Sequence, residues 1–183
     1  MSHVEIRDGD AYNTGLPRAS FDGAHMRLLL VNVPNPELIV REVVSVVRPG
    51  GWVASFEADY VSHTLDPPLP EYSRLLEAYR SYAADHGIDL FVGRRLHRLF
   101  REAGVTDIHV DAVLHVNPVG HSRRPIFRDF INNVREKLIA GGYRSRHDIE
   151  RDLTVVERCL ADPDVLTTSH VFYRLWGRVP MRG

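Results

Sequence analysis

The sequence contains little cysteine and no long apolar run. A single cysteine, Cys159, has no partner within the 183 residues, which excludes the internal disulfide framework of small secreted proteins. No segment approaches the ~20 consecutive apolar residues that a membrane span requires, and the first residues lack the apolar core of a signal peptide. We therefore expect a soluble, cytoplasmic protein.

An excess of charge of either sign is also absent. The chain has 23 lysines and arginines against 24 acidic residues, a net charge of -1 at pH 7, and Lys137 is the single lysine. A protein that binds nucleic acid concentrates positive charge to neutralise phosphates, and no such block occurs here. We predict a small-molecule partner, and neither a nucleic-acid nor a membrane partner.

The sequence does contain an alternation of strand and helix patterns. A mostly apolar run over 21–31 predicts a strand buried on both faces, and apolar spacing over 36–47 predicts an amphipathic helix. Residues 48–51 (RPGG) should end that helix, because proline disfavours helical geometry before it and glycine accepts a positive φ. A strand over 52–57 then completes a βαβ unit, the building block of a parallel sheet covered by helices.

The rest of the chain extends this α/β pattern within what its length predicts to be one domain. Further strands are predicted at 3–7, 105–119 and 169–179, and further helices at 71–87, 93–104, 124–142 and 145–163.

Short motifs around the βαβ unit follow the order and spacing of a known family. They are Asp10-Ala11, Leu16-Pro17, Phe21-Asp22, Arg27 and the RPGG segment. With them the chain resembles class I S-adenosylmethionine-dependent methyltransferases, of the small-molecule type that includes the ubiquinone and menaquinone biosynthesis enzymes. Later motifs extend the resemblance, at 87–89 (GID), 93–96 (GRRL), 103–107 (AGVTD) and 176–180 (WGRVP).

The resemblance implies a partial Rossmann-like methyltransferase sheet that is mostly parallel with a late antiparallel strand, helices on both faces and a helical lid. Residues 1–183 would form a single, N-terminally truncated domain, with 61–92 and 120–165 as lid or insert segments. The family's glycine-rich turn approaches the methionine part of the cofactor, whereas no two glycines here are spaced as G-x-G.

The resemblance also implies S-adenosylmethionine as cofactor and four residues that bind it. Asp10 would accept a hydrogen bond from the adenine amino group, and the amide of Ala11 would meet a ring nitrogen. Met26 and Arg27, at the end of a strand, would hold the amino-acid end of the cofactor. The alternatives are an Asp10 that only turns a loop and an Arg27 that pairs with a structural carboxylate.

Catalytic residues are less defined. Glu57 and His63 are candidates for a general base that deprotonates a hydroxyl before methyl transfer, and the alternative for each is a solvated loop residue. Alignment of nucleophile and methyl group can also suffice without a base. No metal site is expected, because His109 and His115 lie roughly 20 Å apart on an extended strand.

Apolar residues of the predicted helices have two interpretations, an apolar lid over a substrate or plain core. They are Leu75, Leu76, Tyr79, Tyr82, Phe91, Phe127, Phe130 and Ile131.

The functional prediction is methyl transfer from S-adenosylmethionine to a small molecule. The alternative is a non-catalytic methyltransferase-like fragment that self-associates or complements another chain. Without the family's first strands, a central strand would expose an edge of unpaired amides and carbonyls, so a homo-oligomer through that edge is expected. A third hypothesis is that the native enzyme is longer.

Overall fold

A computed structural model of the chain describes residues 3–181. The strands are β1 (Phe21–Arg27), β2 (Val47–Asp59), β3 (Leu65–Asp66), β4 (Thr106–Val113), β5 (Leu166–Thr167) and β6 (Val171–Arg178). The helices are α1 (Pro36–Val46), α2 (Pro70–Asp85), α3 (Val92–Glu102), α4 (Ile126–Ala140) and α5 (Arg146–Ala161). None of the helices in this range is long and apolar enough to cross a membrane.

The main sheet has four strands in the order β1-β2-β6-β4. β1 and β2 are parallel, whereas β6 is antiparallel to both of its neighbours, β2 and β4. Three strands therefore point the same way and one late strand points against them. This arrangement confirms the predicted α/β class and its late antiparallel strand.

One face of the sheet, here called the covered face, packs against α1 and α3. Alternate residues of the central strands point into this core, among them Val53 of β2 and Leu175 of β6. Leu96 and Phe100 of α3 meet them and are fully buried. The apolar stripe of each helix thus finds the apolar half of an alternating strand.

The opposite face, here called the open face, is exposed to solvent. Trp52 of β2 and Trp176 of β6 are 43% and 45% exposed, although both are large and apolar. Trp176 lies between Ala54 and His109 in the strand register, and its ring stacks on His109. Within the described residues the helices of the sheet layer pack on one side, where the resemblance implies two.

A second apolar core, the helical cluster, is formed by α2, α4 and α5 beside the two-stranded β3–β5 sheet. Asp152 of α5 is fully buried and accepts hydrogen bonds from Arg74 of α2 at 3.0 Å and from Arg144 at 2.5 Å. These three helices fall within the predicted lid or insert segments, 61–92 and 120–165. That they act as a lid stays a prediction.

The RPGG segment is a bulge inside β2 and not a separate turn. The residues that flank it pair with Phe21 and Gly23 of β1, so residues 48–51 lie opposite a single residue of β1. Gly50 has a φ of +77°, and a side chain at Gly51 would collide with the β1 backbone. Both positions therefore require glycine.

Two predictions about strands are wrong. Residues 3–7 have no strand structure, and Ile6 is 92% exposed, because no strand in the described part of the chain pairs with them. The predicted burial of β1 on both faces is not found either. Met26 is its only buried residue, because β1 lies at the edge of the sheet and one of its faces is open.

Candidate functional site

The candidate site lies where β1 and β2 end. Because these strands are parallel, their carboxyl ends meet at one edge of the sheet, which is where open α/β sheets bind ligands. The chain leaves β1 at Arg27 and β2 at Asp59. The predicted site residues Met26, Glu57 and His63 lie within a few residues of these two ends.

The loop that carries Asp10 is tied to the same edge. The Tyr12 hydroxyl donates to the carbonyl of Pro34, between the end of β1 and the start of α1. The amide and hydroxyl of Thr14 donate to the Glu42 carboxylate of α1, at 3.0 and 2.7 Å. The exposed Asp10 carboxylate accepts a hydrogen bond from the Tyr12 amide at 2.9 Å through one oxygen. Asp10 thus turns the loop, and its second oxygen can serve a ligand.

The other cofactor candidates differ in what they can offer. Ala11 packs partly against the apolar core of the covered face, and the Met26 side chain is buried in that core, so both can contribute only backbone groups. Arg27 is exposed on the open face, with its guanidinium 5.7 Å from the centre of the Phe56 ring. Among residues 3–181 no carboxylate forms an ion pair with Arg27, which removes the structural-pair alternative within the described residues.

Glu57 is not a solvated loop residue, because it lies inside β2 and is fully buried. Its carboxylate accepts hydrogen bonds from the amides of Leu29, Leu30 and Val31, at 3.0, 3.1 and 3.3 Å. Burial raises the pKa of the Glu57 carboxyl above its ordinary value, and the three amide bonds oppose that shift. Both oxygens are used to hold the segment that follows β1, so Glu57 is a positioning group.

His63 is partly buried and is held by aromatic neighbours. Its ring stacks on Tyr72, and the Tyr72 hydroxyl lies 2.5 Å from Nδ1. Burial lowers the pKa of His63 to about 3, helped by the neighbouring His170, and burial lowers the pKa of His170 to about 4. Such an imidazole is neutral but weakly basic, which suits packing better than proton transfer near neutral pH.

The residues with a lid or core interpretation pack mainly as core. Leu75, Tyr79, Phe127 and Ile131 are buried in or beside the helical cluster, whereas Phe91 is exposed. Among residues 3–181 no three His, Cys, Asp or Glu side chains are grouped so that they could hold a metal ion.

A cleft of about 670 Å³, here called the Arg27 cleft, opens on the open face beside the end of β1. Its walls come from β1, β2, β6 and the connection between β4 and α4. The side chains that define its chemistry are Arg27, Phe56, His115, Arg123, Phe172 and Arg174. The volume falls within the range of small-molecule sites.

Of these six residues the sequence identified only Arg27 as a site residue, and it singled out His115 only for a metal site that the strand spacing excludes. Phe172 and Arg174 share one face of a predicted strand, and that spacing is the only signal that the sequence carries for them. The missing information is the strand order, since only the insertion of β6 beside β2 brings Phe172 next to Phe56.

The cleft combines stacked rings with positive charge. The Phe56 and Phe172 rings are 5.0 Å apart and nearly parallel, at 13°. Arg174 pairs with Asp111 of β4, whereas Arg123 forms no ion pair within residues 3–181. None of the described residues that line the cleft is a carboxylate. The cleft is therefore aromatic at its base and cationic at its rim.

The family comparison matches residues 1–55 to the model of a methyltransferase domain. An uncharacterised 37.1 kDa transposon protein of Streptomyces fradiae is 35% identical over 76% of this chain and 39% of its own length. The demethylmenaquinone methyltransferase of Desulfitobacterium hafniense is 45% identical over 31% of this chain and 22% of its own, and that of Halalkalibacterium halodurans 29% over 60% and 50%. The chain thus spans half or less of these curated relatives.

Solved structures show the same fold at low identity. A putative methyltransferase from Bacillus halodurans aligns with a TM-score of 0.57 and 14% identity, over 98% of this chain and 79% of its own. One from Anabaena variabilis aligns with a TM-score of 0.53 and 14% identity, over 93% and 72%. The fold is that of Rossmann-like methyltransferases. The chain resembles class I S-adenosylmethionine-dependent methyltransferases of the menaquinone type, as its motifs predict.

Proposed function

We propose that this chain takes part in methyl transfer from S-adenosylmethionine to a small-molecule acceptor, at the edge where β1 and β2 end. The observation that carries the proposal is the family match over residues 1–55, which includes Asp10, Ala11, Met26 and Arg27. The Arg27 cleft opens beside the last of these residues and gives an acceptor a place next to the cofactor segment.

The residues present fit one part of the cofactor. Asp10 is exposed and fixed by the Tyr12 bond, so its carboxylate can accept from an adenine amino group while the Ala11 amide meets a ring nitrogen. The backbone at Met26 and Arg27 would hold the amino-acid end. When bound, S-adenosylmethionine supplies a methyl group made electrophilic by its sulfonium.

The described residues contribute to the reaction by placement. Glu57 fixes the backbone of residues 29–31 directly after β1, and the rings of Phe56 and Phe172 exclude water from one wall of the cleft. Glu57 is occupied by these backbone amides, and the partly buried His63 packs against Tyr72. We propose a reaction that depends on alignment of the acceptor atom with the methyl group, without a general base from either residue.

Calorimetric titration with S-adenosylhomocysteine tests the proposal. We expect binding on the order of micromolar affinity, and Asp10→Ala should weaken it about tenfold because a hydrogen bond to the adenine edge is lost. Asp8→Ala, two residues away in the exposed segment, is the matched control and should bind like the wild type. If titration of the wild-type chain with S-adenosylhomocysteine gives no heat of binding, the proposal is wrong.

The relatives with a stated activity are methyltransferases, and this favours methyl transfer over the alternative of a non-catalytic fragment. Fold alone does not decide the matter, since a [4+2]-cyclase also aligns with a TM-score of 0.50 and 17% identity, over 99% of this chain and 57% of its own. We propose self-association through the outer edge of β1 as a property that accompanies the activity, because β1 pairs on one side only within the described residues.

A further inference from the structure

The aromatic side chains at the base of the Arg27 cleft can contact a planar ring. Phe56 and Phe172 lie on neighbouring antiparallel strands and stack with 5.0 Å between ring centres. His115 approaches Phe172 from the connection after β4, with ring centres 6.4 Å apart. Aromatic side chains grouped at a cavity wall favour offset or edge contact with a further ring.

The rim of the cleft carries uncompensated positive charge. Arg27 is held above Phe56 by a cation–π contact and forms no ion pair with the residues of the described chain. Arg123 also forms no ion pair within the described residues, while Arg174 is neutralised by Asp111. Two free guanidinium groups beside an apolar wall create a positive potential that attracts an anion, and a guanidinium matches a carboxylate with two hydrogen bonds.

Arginines without an ion pair also occur elsewhere in the described chain, as at Arg41, Arg101 and Arg158, so what distinguishes Arg27 and Arg123 is the cavity that they share. Arg94 pairs with the buried Asp59 at 2.5 Å, and Arg124 is buried with its guanidinium hydrogen-bonded to backbone carbonyls. These side chains serve the fold. Arg27 and Arg123 have no comparable protein partner within the described chain, although they face the same cavity.

We infer that the Arg27 cleft binds a planar aromatic molecule that carries a carboxylate, with the ring on Phe56 and Phe172 and the carboxylate between Arg27 and Arg123. This inference rests on the proposed function, because it names the class of the methyl acceptor. Free phosphate or the cofactor's own carboxylate would use the arginines but leave the rings without a role.

Three small probes separate the two recognition elements. They are 4-hydroxycinnamate, its neutral amide 4-hydroxycinnamamide, and 3-cyclohexylpropanoate, which keeps the charge but has no aromatic ring. Titration of the full chain, saturated with S-adenosylhomocysteine, should show 4-hydroxycinnamate binding about tenfold more tightly than either of the others, as expected for one charge-assisted contact or one ring contact.

Variants assign the effect to residues. Arg123→Gln should weaken 4-hydroxycinnamate about fivefold to tenfold and leave the amide unchanged, since only the charged contact is removed. Phe172→Leu should weaken the aromatic probes and leave 3-cyclohexylpropanoate unchanged. Arg98→Gln, an exposed position on α3, is the control for a general change of charge.

Three results would overturn the inference. The first is equal affinity for 4-hydroxycinnamate and its amide. The second is an equal loss of affinity in Arg123→Gln and Arg98→Gln. The third is that 4-hydroxycinnamate or inorganic phosphate competes with S-adenosylhomocysteine, which would assign the arginines to the cofactor or to phosphate. The proposed function fails separately, by loss of S-adenosylhomocysteine binding itself, so the two failures are distinguishable.

Discussion

Leu175 and Trp176 are neighbours in β6 but lie in different surroundings. Leu175 points to the covered face and is 1% exposed, whereas Trp176 points to the open face and is 45% exposed. The same contrast separates Glu57 from Phe56 in β2. Alternation along each strand therefore assigns one set of residues to the fold and the next set to the surface that carries the Arg27 cleft.

The largest effect is expected from Leu175→Ala. Removing a fully buried leucine side chain should lower the free energy of unfolding by about 3 kcal/mol through lost burial and a cavity. Trp176→Ala removes a larger side chain but should cost only about 1 kcal/mol, because nearly half of it is already exposed. Urea unfolding followed by circular dichroism measures both. Equal losses would show that the open face is buried in solution.

The second comparison uses Glu57 and Phe56. Glu57→Ala leaves three buried amides without their acceptor and should cost about 2–3 kcal/mol, while Phe56→Leu should cost about 1 kcal/mol. Glu57→Gln keeps one acceptor oxygen and should recover part of the loss. If Glu57→Ala unfolds like the wild type but abolishes methyl transfer, the carboxylate is catalytic and its positioning role is wrong.

The covered face could be predicted from the sequence, and the open face could not. The apolar spacing of α1 and the run in β2 are local signals. The structure has α1 close to its predicted bounds, whereas β2 extends beyond the predicted 52–57 at both ends, to Val47–Asp59. The Arg27 cleft joins residues more than 100 positions apart in the chain, from Arg27 to Arg174. That contact depends on the order of strands in the sheet, which no periodicity of one segment reports.

The burial of Glu57 is a second feature that the sequence could not predict. Its position after an apolar run is typical of an exposed loop carboxylate, and the structure instead extends β2 to Asp59 and buries both acidic residues. Three amides of the neighbouring segment and Arg94 stabilise these charges. Because those partners come from other elements, the burial of these acids could not be predicted from local pattern.

The third prediction concerns two partly buried histidines, His63 and His170, between β2 and the helical cluster. Burial lowers the pKa of His63 to about 3 and that of His170 to about 4, below the ordinary value of 6.5. The folded state therefore binds fewer protons than the unfolded state, so this stability is present above pH 6.5 and is lost as the pH falls toward 4. Within that window each histidine should lower the free energy of unfolding by about 1.4 kcal/mol for each unit by which the pH falls.

His63→Gln tests this directly, because glutamine can still accept from the Tyr72 hydroxyl and does not titrate. Between pH 7.5 and 5.5 the variant should lose about 1 kcal/mol less stability than the wild type, and His170→Gln should behave similarly. Identical pH dependence in all three chains would show that the two rings are solvated. The helical cluster would then admit more water than the core under the covered face.

The smallest effect on the folded monomer, and the sharpest test of the open face, is expected from Trp52→Lys. Trp52 lies across Gly23 on the face next to the outer edge of β1, so a charge there opposes pairing with a second copy. We expect sedimentation velocity to show concentration-dependent association of the wild type that weakens about tenfold in this variant. The free energy of unfolding should fall by about 1 kcal/mol or less.

Leu38→Lys is the control, since Leu38 is equally exposed but lies on α1 at the covered side. A wild type that stays monomeric at all concentrations would contradict self-association, and the tryptophans of the open face would then belong to the monomer's own surface beside the Arg27 cleft.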